Sequence, residues 1–169
     1  ADPRIHVFIN TSDVQIANQL RKSREEVLEQ AEAMVRKAAQ FTSNIEFSAM
    51  DATRTAPDFL YAIVERCIAA GATTINIPDS VGYAIPEEIG AIFRGVMEHV
   101  PNVHKAVLSI HAHNDLGLAA ANALSAIQAG ARQLEVTMNG IGERAGNTAL
   151  EEVVMAIKTR KDFLNFHTN

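Results

Sequence analysis

The sequence predicts an α/β fold made of five consecutive βα units of a parallel (β/α)8 barrel, and three observations predict it. Five short β-rich runs alternate with longer helical patterns, the signature of parallel βαβ units. The runs start about 32 residues apart on average, the spacing of a barrel that needs roughly 250 residues for eight units. Each run also has one apolar and one polar face, whereas a doubly wound sheet, covered by helices on both sides, needs apolar residues on both.

The elements follow in order. Ile5 to Asn10 is the first strand. A capping box of Ser23 and Glu26 opens a helix whose core stripe is Val27, Ala31, Met34, Val35 and Ala38. Ile45 to Met50 is the second strand, and Thr55 with Asp58 is a looser cap for the helix ending at Ala70-Gly71-Ala72. Thr73 to Asp79 is the third strand. Pro86 suits the first turn of a helix carrying Ile89, Ile92, Phe93, Val96 and Met97 inward, and Pro101 ends it. Ala106 to His113 is the fourth strand, followed by a helix that stops at Ala129-Gly130-Ala131, a second glycine C-cap feeding a strand. Gln133 to Asn139 is the fifth strand, and Thr148 with Glu151 reads as a capping box for the last helix.

Alternation assigns the faces. Ile5, Val7, Ile9, Ile45, Phe47, Ile75, Ile77, Leu108, Ile110, Leu134, Val136 and Met138 form the apolar side. The other side carries His6, Asn10, Glu46, Ser48, Thr74, Asn76, Ser109, His111, His113, Glu135, Thr137 and Asn139, as the lining of a catalytic barrel should. The 169 residues alone fit a complete five-unit doubly wound domain, but the faces favour the partial barrel. Residues 1–169 read as one domain, and Ala1-Asp2-Pro3, set almost directly against an apolar run, reads as a cut rather than a natural start.

Composition narrows the function. The chain is 47% hydrophobic and 21% charged, as a soluble globular domain is. Net charge is −5, and the densest basic stretch is Lys158 to Lys161, so no footprint for nucleic acid or anionic membrane is present. The single Cys67 forms no internal disulfide, which points to the cytoplasm. It shares a helix face with Ile63 and Val64 and reads as packing.

Two segments carry chemistry. In Ser109-Ile110-His111-Ala112-His113-Asn114-Asp115 the two histidines share a strand face at its carboxyl end. They either reach one cation or serve as structural histidines with satisfied N–H groups. The segment Asn139-Gly140-Ile141-Gly142-Glu143-Arg144-Ala145-Gly146-Asn147 lets backbone approach a ligand closely. Its G-x-G-x-x-x-G spacing after the last strand differs from a dinucleotide loop. Asp79 and Asp115 end strands, as site residues or as caps; His6, His99, His104 and His167 suggest no ligand set.

These two segments, with Phe47-Ser48-Ala49-Met50-Asp51-Ala52 and Asn76-Ile77-Pro78-Asp79-Ser80-Val81-Gly82, resemble the metal-dependent Claisen-condensing and aldol-cleaving TIM barrels. That family includes the 2-isopropylmalate, homocitrate, citramalate and methylthioalkylmalate synthases and HMG-CoA lyase, and the likeness is to the first. The resemblance implies the C-terminal five βα units (strands 4–8) of a TIM (β/α)8 barrel. It implies a divalent metal ion (Zn, Mn, Co or Mg) on His111, His113 and Asn147, with a further aspartate on a first strand that this chain lacks. It implies Glu143 as the catalytic glutamate and Ser80, Asn139 and Arg144 as substrate-binding residues, although a local ion pair with Glu143 is an equal reading of Arg144. The reaction implied is condensation of acetyl-CoA with an α-keto acid, 2-oxoisovalerate foremost, in leucine biosynthesis, by a cytoplasmic homodimer.

Three residues depart from the family pattern: Met50 replaces an active-site glutamate, Asn10 a small residue and Gln15 a histidine. Those departures bear on the identity of the keto acid. The other readings are aldol cleavage by the same fold and a non-catalytic binding or assembly module.

Overall fold

The computed structural model describes residues 3–168. Ala1 and Asp2, part of the segment read as a cut, lie outside the described residues, as does Asn169. The strands are β1 (Ile5–Asn10), β2 (Ile45–Met50), β3 (Thr74–Asp79), β4 (Val107–Ala112) and β5 (Gln133–Glu135). A single turn α1 (Asp13–Gln15) and a π-helical turn over Ile16–Leu20 follow β1. The other helices are α2 (Arg24–Ala38), α3 (Pro57–Ala70), α4 (Pro86–His99), α5 (Ala119–Gln128), α6 (Leu150–Thr159) and α7 (Lys161–Leu164).

The five strands form one parallel sheet in the order β1-β2-β3-β4-β5. A doubly wound sheet reverses its strand order at a switch point, and this one does not. Right-handed crossovers in unbroken order put every helix on the same face. That face is the apolar one: Ile45, Phe47, Ile75, Ile77, Leu108 and Ile110 share one buried core with Val27, Val35, Ile63, Val64, Ile89 and Phe93 of the helices. Cys67 is buried in it, and burial pushes its thiol pKa up.

The sheet is curved as well as ordered. In a flat sheet β1 and β5 would lie about 19 Å apart, four spacings of about 4.8 Å. Yet Arg4, at the start of β1, donates from Nη1 to Gln133 Oε1 on β5 at 2.7 Å and to Glu46 Oε2 on β2 at 3.0 Å. Only a sheet rolled toward its polar face brings those side chains together.

Local signals behave unevenly. Ser23 and Glu26 form their capping box, Pro86 begins α4, α4 stops before Pro101, and Gly71 and Gly130 take the positive φ of helix ends. Thr148 does not cap: its Oγ1 bonds the Ala112 and Ala119 carbonyls, and Glu151 instead accepts from Asn139 N. Thr55 likewise bonds Thr11 and the Asp51 carbonyl, leaving Pro57 to start α3. The fifth strand stops at Glu135, short of Asn139. Beyond it Thr137 pairs with the chain's own 148–150 segment and Asn139 turns at φ 58°, so Met138 is 65% exposed rather than buried. Met34 and Met97 also point outward. Among the described residues no helix is long and apolar enough to cross a membrane.

Phe93 is fully buried, whereas Met97, one turn later on α4, is 48% exposed. Phe93→Ala is expected to cost about 3–5 kcal/mol in equilibrium denaturation, and Met97→Ala about 0.5 kcal/mol or less. Equal losses would contradict the face assigned to α4.

Candidate metal and substrate site

The polar face of the sheet lines a cavity of about 340 Å³ at the carboxyl ends of the strands. His111, His113, Asn147, Glu143 and Ser80 all line it. They come from three loops and one strand end, and the backbone explains how they meet. His113 bridges Asn147, Asn114 N donates to Gly146 O, and Thr148 N donates to Ala112 O, so the glycine-rich segment is zipped antiparallel onto the end of β4. Gly146 has φ +100°, and a Cβ there would fall on the Gly140 carbonyl. A Cβ on Gly142 would meet the Asn147 amide. The glycines thus form the cradle that holds Asn147 against the histidines.

The histidine partners fix which ring nitrogen faces the cavity. His113 Nδ1 lies 2.9 Å from the Asp79 carbonyl, which can only accept. His111 Nδ1 lies 2.7 Å from Glu135 Oε2. Burial pushes the Glu135 pKa up, but the bonds from His111 and Glu46 outweigh it and hold the group below its ordinary value, so it is a carboxylate and accepts. Both rings therefore donate from Nδ1, the tautomer that in a neutral imidazole leaves Nε2 as the lone-pair nitrogen. The rings are 4.8 Å apart. Asn147 Oδ1 is buried and has no hydrogen-bond partner, which leaves it able to accept from or coordinate a ligand.

Two imidazole nitrogens and one orphaned amide oxygen on one cavity are a mixed N/O donor set that fits a divalent cation. Among the described residues no cluster of three or more His, Cys, Asp or Glu side chains is placed to hold a metal, so the carboxylate expected from a first strand has no stand-in here.

The remaining site residues divide. Ser80 Oγ accepts from Asp51 N at 2.9 Å, which leaves its own proton free to donate into the cavity. Glu143 is exposed, with Oε2 4.0 Å from His113 Nε2 and 3.5 Å from Arg144 Nη1. Arg144 is not in the cavity lining. Its guanidinium grips Asp115 at 2.8 and 2.7 Å and donates to the Ser80 carbonyl at 3.1 Å. That clamp, more than the pair with Glu143, ties together the loops after β3, β4 and β5, and its bond holds the Asp115 pKa below the ordinary value. Asn139 is exposed and also outside the lining. Asp79 proves to be a loop cap, fully buried and accepting from Thr53 Oγ1, Gly82 N and Ala84 N.

Of the departing residues, Met50 lines the cavity with Phe8 and Pro78, while Asn10 bonds Gln19. What the sequence did not disclose is the role of Glu135 and Asn76. Both stand on the polar face, but only the structure, with His111 opposite Glu135 in the register, shows that Glu135 bonds the histidine and Asn76 bonds Glu135.

The HMGL-like family model matches residues 1–169. The 2-isopropylmalate synthases of Syntrophus aciditrophicus and Halothermothrix orenii are 61% and 59% identical over 168 residues, 99% of this chain and 33% of each of theirs. The chain therefore spans about a third of the length of these curated relatives. Among solved structures, the hydroxymethylglutaryl-CoA lyase of Pseudomonas aeruginosa superposes with a TM-score of 0.78 at 17% identity, over 94% of this chain and 56% of that one. The HMG-CoA lyase of Brucella melitensis gives 0.75 at 19%, over 95% and 59%. Those likenesses show an α/β fold built on a parallel sheet, and the match along the full sequence shows that the chain belongs to the HMGL-like family.

Proposed function

We propose that this chain is the carboxyl-terminal five βα units, strands 4–8, of a TIM barrel with 2-isopropylmalate synthase activity, and that residues 1–169 make up one partial catalytic domain. The observation that carries the reading is that His111, His113 and Asn147, its Oδ1 unpartnered, line one cavity. The identity of about 60% to 2-isopropylmalate synthases supports the substrates, acetyl-CoA and 2-oxoisovalerate. Cytoplasmic location and a homodimer in the intact protein belong to the same proposal.

His111, His113 and Asn147 would hold the divalent cation, with an aspartate from elsewhere in the longer protein. When bound, the cation supplies Lewis-acid stabilisation of the charge that develops on the keto oxygen during condensation. The chain's own residues do the rest. Ser80 donates its hydroxyl proton to the keto-acid carboxylate. Phe8, Met50 and Pro78 give an apolar wall that suits an aliphatic side chain and excludes water from it. Glu143, beside His113 at the cavity mouth, holds a proton or a water for the carbonyl chemistry. Arg144 acts here through Asp115 and the Ser80 carbonyl, fixing the loops that aim Ser80 and Glu143.

In the full-length protein, release of CoA from acetyl-CoA should depend on 2-oxoisovalerate and on a divalent cation. His111→Ala should lower both cation affinity and turnover by more than about 100-fold, beyond the range for outer-shell partners. No turnover with any α-keto acid, or full turnover by His111→Ala, would overturn the reading.

The clamp makes a pH prediction. Because the Asp115 pKa is lowered on folding, its stabilisation is complete above the unfolded value of about 3.9 and fades as pH falls through the lower folded value. The difference in Tm between the wild type and Asp115→Asn should therefore be constant between pH 7 and about pH 5 and shrink below about pH 4. A difference that stays unchanged into strong acid would contradict the charged clamp.

A further inference from the structure

The hydrogen bonds on the polar face form a continuous ladder that uses one side chain from each strand. His6 Nε2 lies 2.7 Å from Ser48 Oγ, Asn76 Nδ2 donates to Ser48 Oγ at 2.9 Å and to Glu135 Oε2 at 3.2 Å, and Glu135 Oε2 meets His111 Nδ1 at 2.7 Å. The strands involved are β1, β2, β3, β5 and β4 in turn. Both bonds at the Glu135 end fall on the same carboxylate oxygen, so Asn76 and His111 together hold that oxygen in place.

The two histidines differ in what holds them. His113 leans on a main-chain carbonyl, Asp79 O, which any sequence would supply. His111 depends on the Glu135 side chain, itself more than half buried and held by a second side chain. A carboxylate on the far nitrogen of an imidazole fixes the tautomer and ring plane and raises the basicity of the facing nitrogen.

We propose that Glu135, steadied by Asn76, is the positioning residue of this site: it holds the His111 ring by its Nδ1 and so leaves Nε2 as the nitrogen for the cation. This inference rests on the metal site proposed above. It assigns to the strand that follows the histidine motif a role that the motif itself does not reveal. Asn76 has both amide protons committed to the ladder, which orients its amide and leaves Oδ1 without a partner.

The test is titration of the metal-free, full-length protein with Co2+ alone, followed by affinity and by the ligand-field spectrum, with no substrate and no activity readout. Glu135→Ala is expected to weaken Co2+ binding by about 10–100-fold and to shift the ligand-field bands. Glu135→Gln, which keeps the shape but loses the charge, is expected to weaken it about 10-fold, and it decides the matter if the alanine variant does not fold. Val35→Ala, a core change on α2 far from the ladder, should lower thermal stability and leave the spectrum unchanged. Wild-type affinity and spectrum in either folded Glu135 variant would overturn the proposal. Co2+ binding that survives His111→Ala would instead overturn the metal site on which it rests.

Discussion

A buried polar group left unpaired costs about 1–3 kcal/mol, and this sheet carries Glu46, Ser48, Thr74, Asn76 and Ser109, all buried, on the face that has no helices. Such a face is tolerable only if the sheet rolls until its side chains reach one another. The Arg4 to Gln133 bond between the first and last strands is the plainest sign that it does. Curvature, strand order and the one-sided placement of the helices are therefore not separate features. The helices cover the apolar face, and the polar face pairs with itself.

The same constraint builds the site. The side chains of the ladder, from His6 and Ser48 through Asn76 and Glu135 to His111, themselves line the cavity, and His113 and Asn147, whose Oδ1 is buried without a hydrogen-bond partner, complete it at the loop end. The glycine-rich segment reaches this end because its backbone pairs with residues 112–114, and the Arg144 clamp on Asp115 keeps the three loops in register. A strand thus sets His111, while loops held at several points set His113, Ser80 and Glu143.

Much of this was legible in the sequence, for physical reasons. The first two strands were found to the residue because period-2 alternation and β-branched content agree there, and the polar face was read from the same alternation. The histidine and glycine-rich segments were legible because their chemistry is dense in a short stretch. The end of β5 was not. Residues 136–138 have strand composition, but Thr137 exchanges its backbone bonds with Thr148 and Leu150, and Thr148 N takes the Ala112 carbonyl at the end of β4. Thr148 carries the pattern of a cap, yet its hydroxyl is taken by carbonyls distant in sequence. Arg144 and Glu135 show the same limit on the functional side. Arg144 looked like a substrate or Glu143 partner, and its main partner Asp115 lies 29 residues away. Glu135 was one polar residue among many until the register set it against His111.

The central claim is that His111, His113 and Asn147 converge on one divalent cation. The most direct measurement is a crystal structure of the full-length protein grown with Zn2+, with the metal located by anomalous diffraction. The account predicts a single strong peak about 2.0–2.1 Å from His111 Nε2 and His113 Nε2, with Asn147 Oδ1 also in its coordination shell. A peak elsewhere, or coordination through Nδ1 of either histidine, would contradict it.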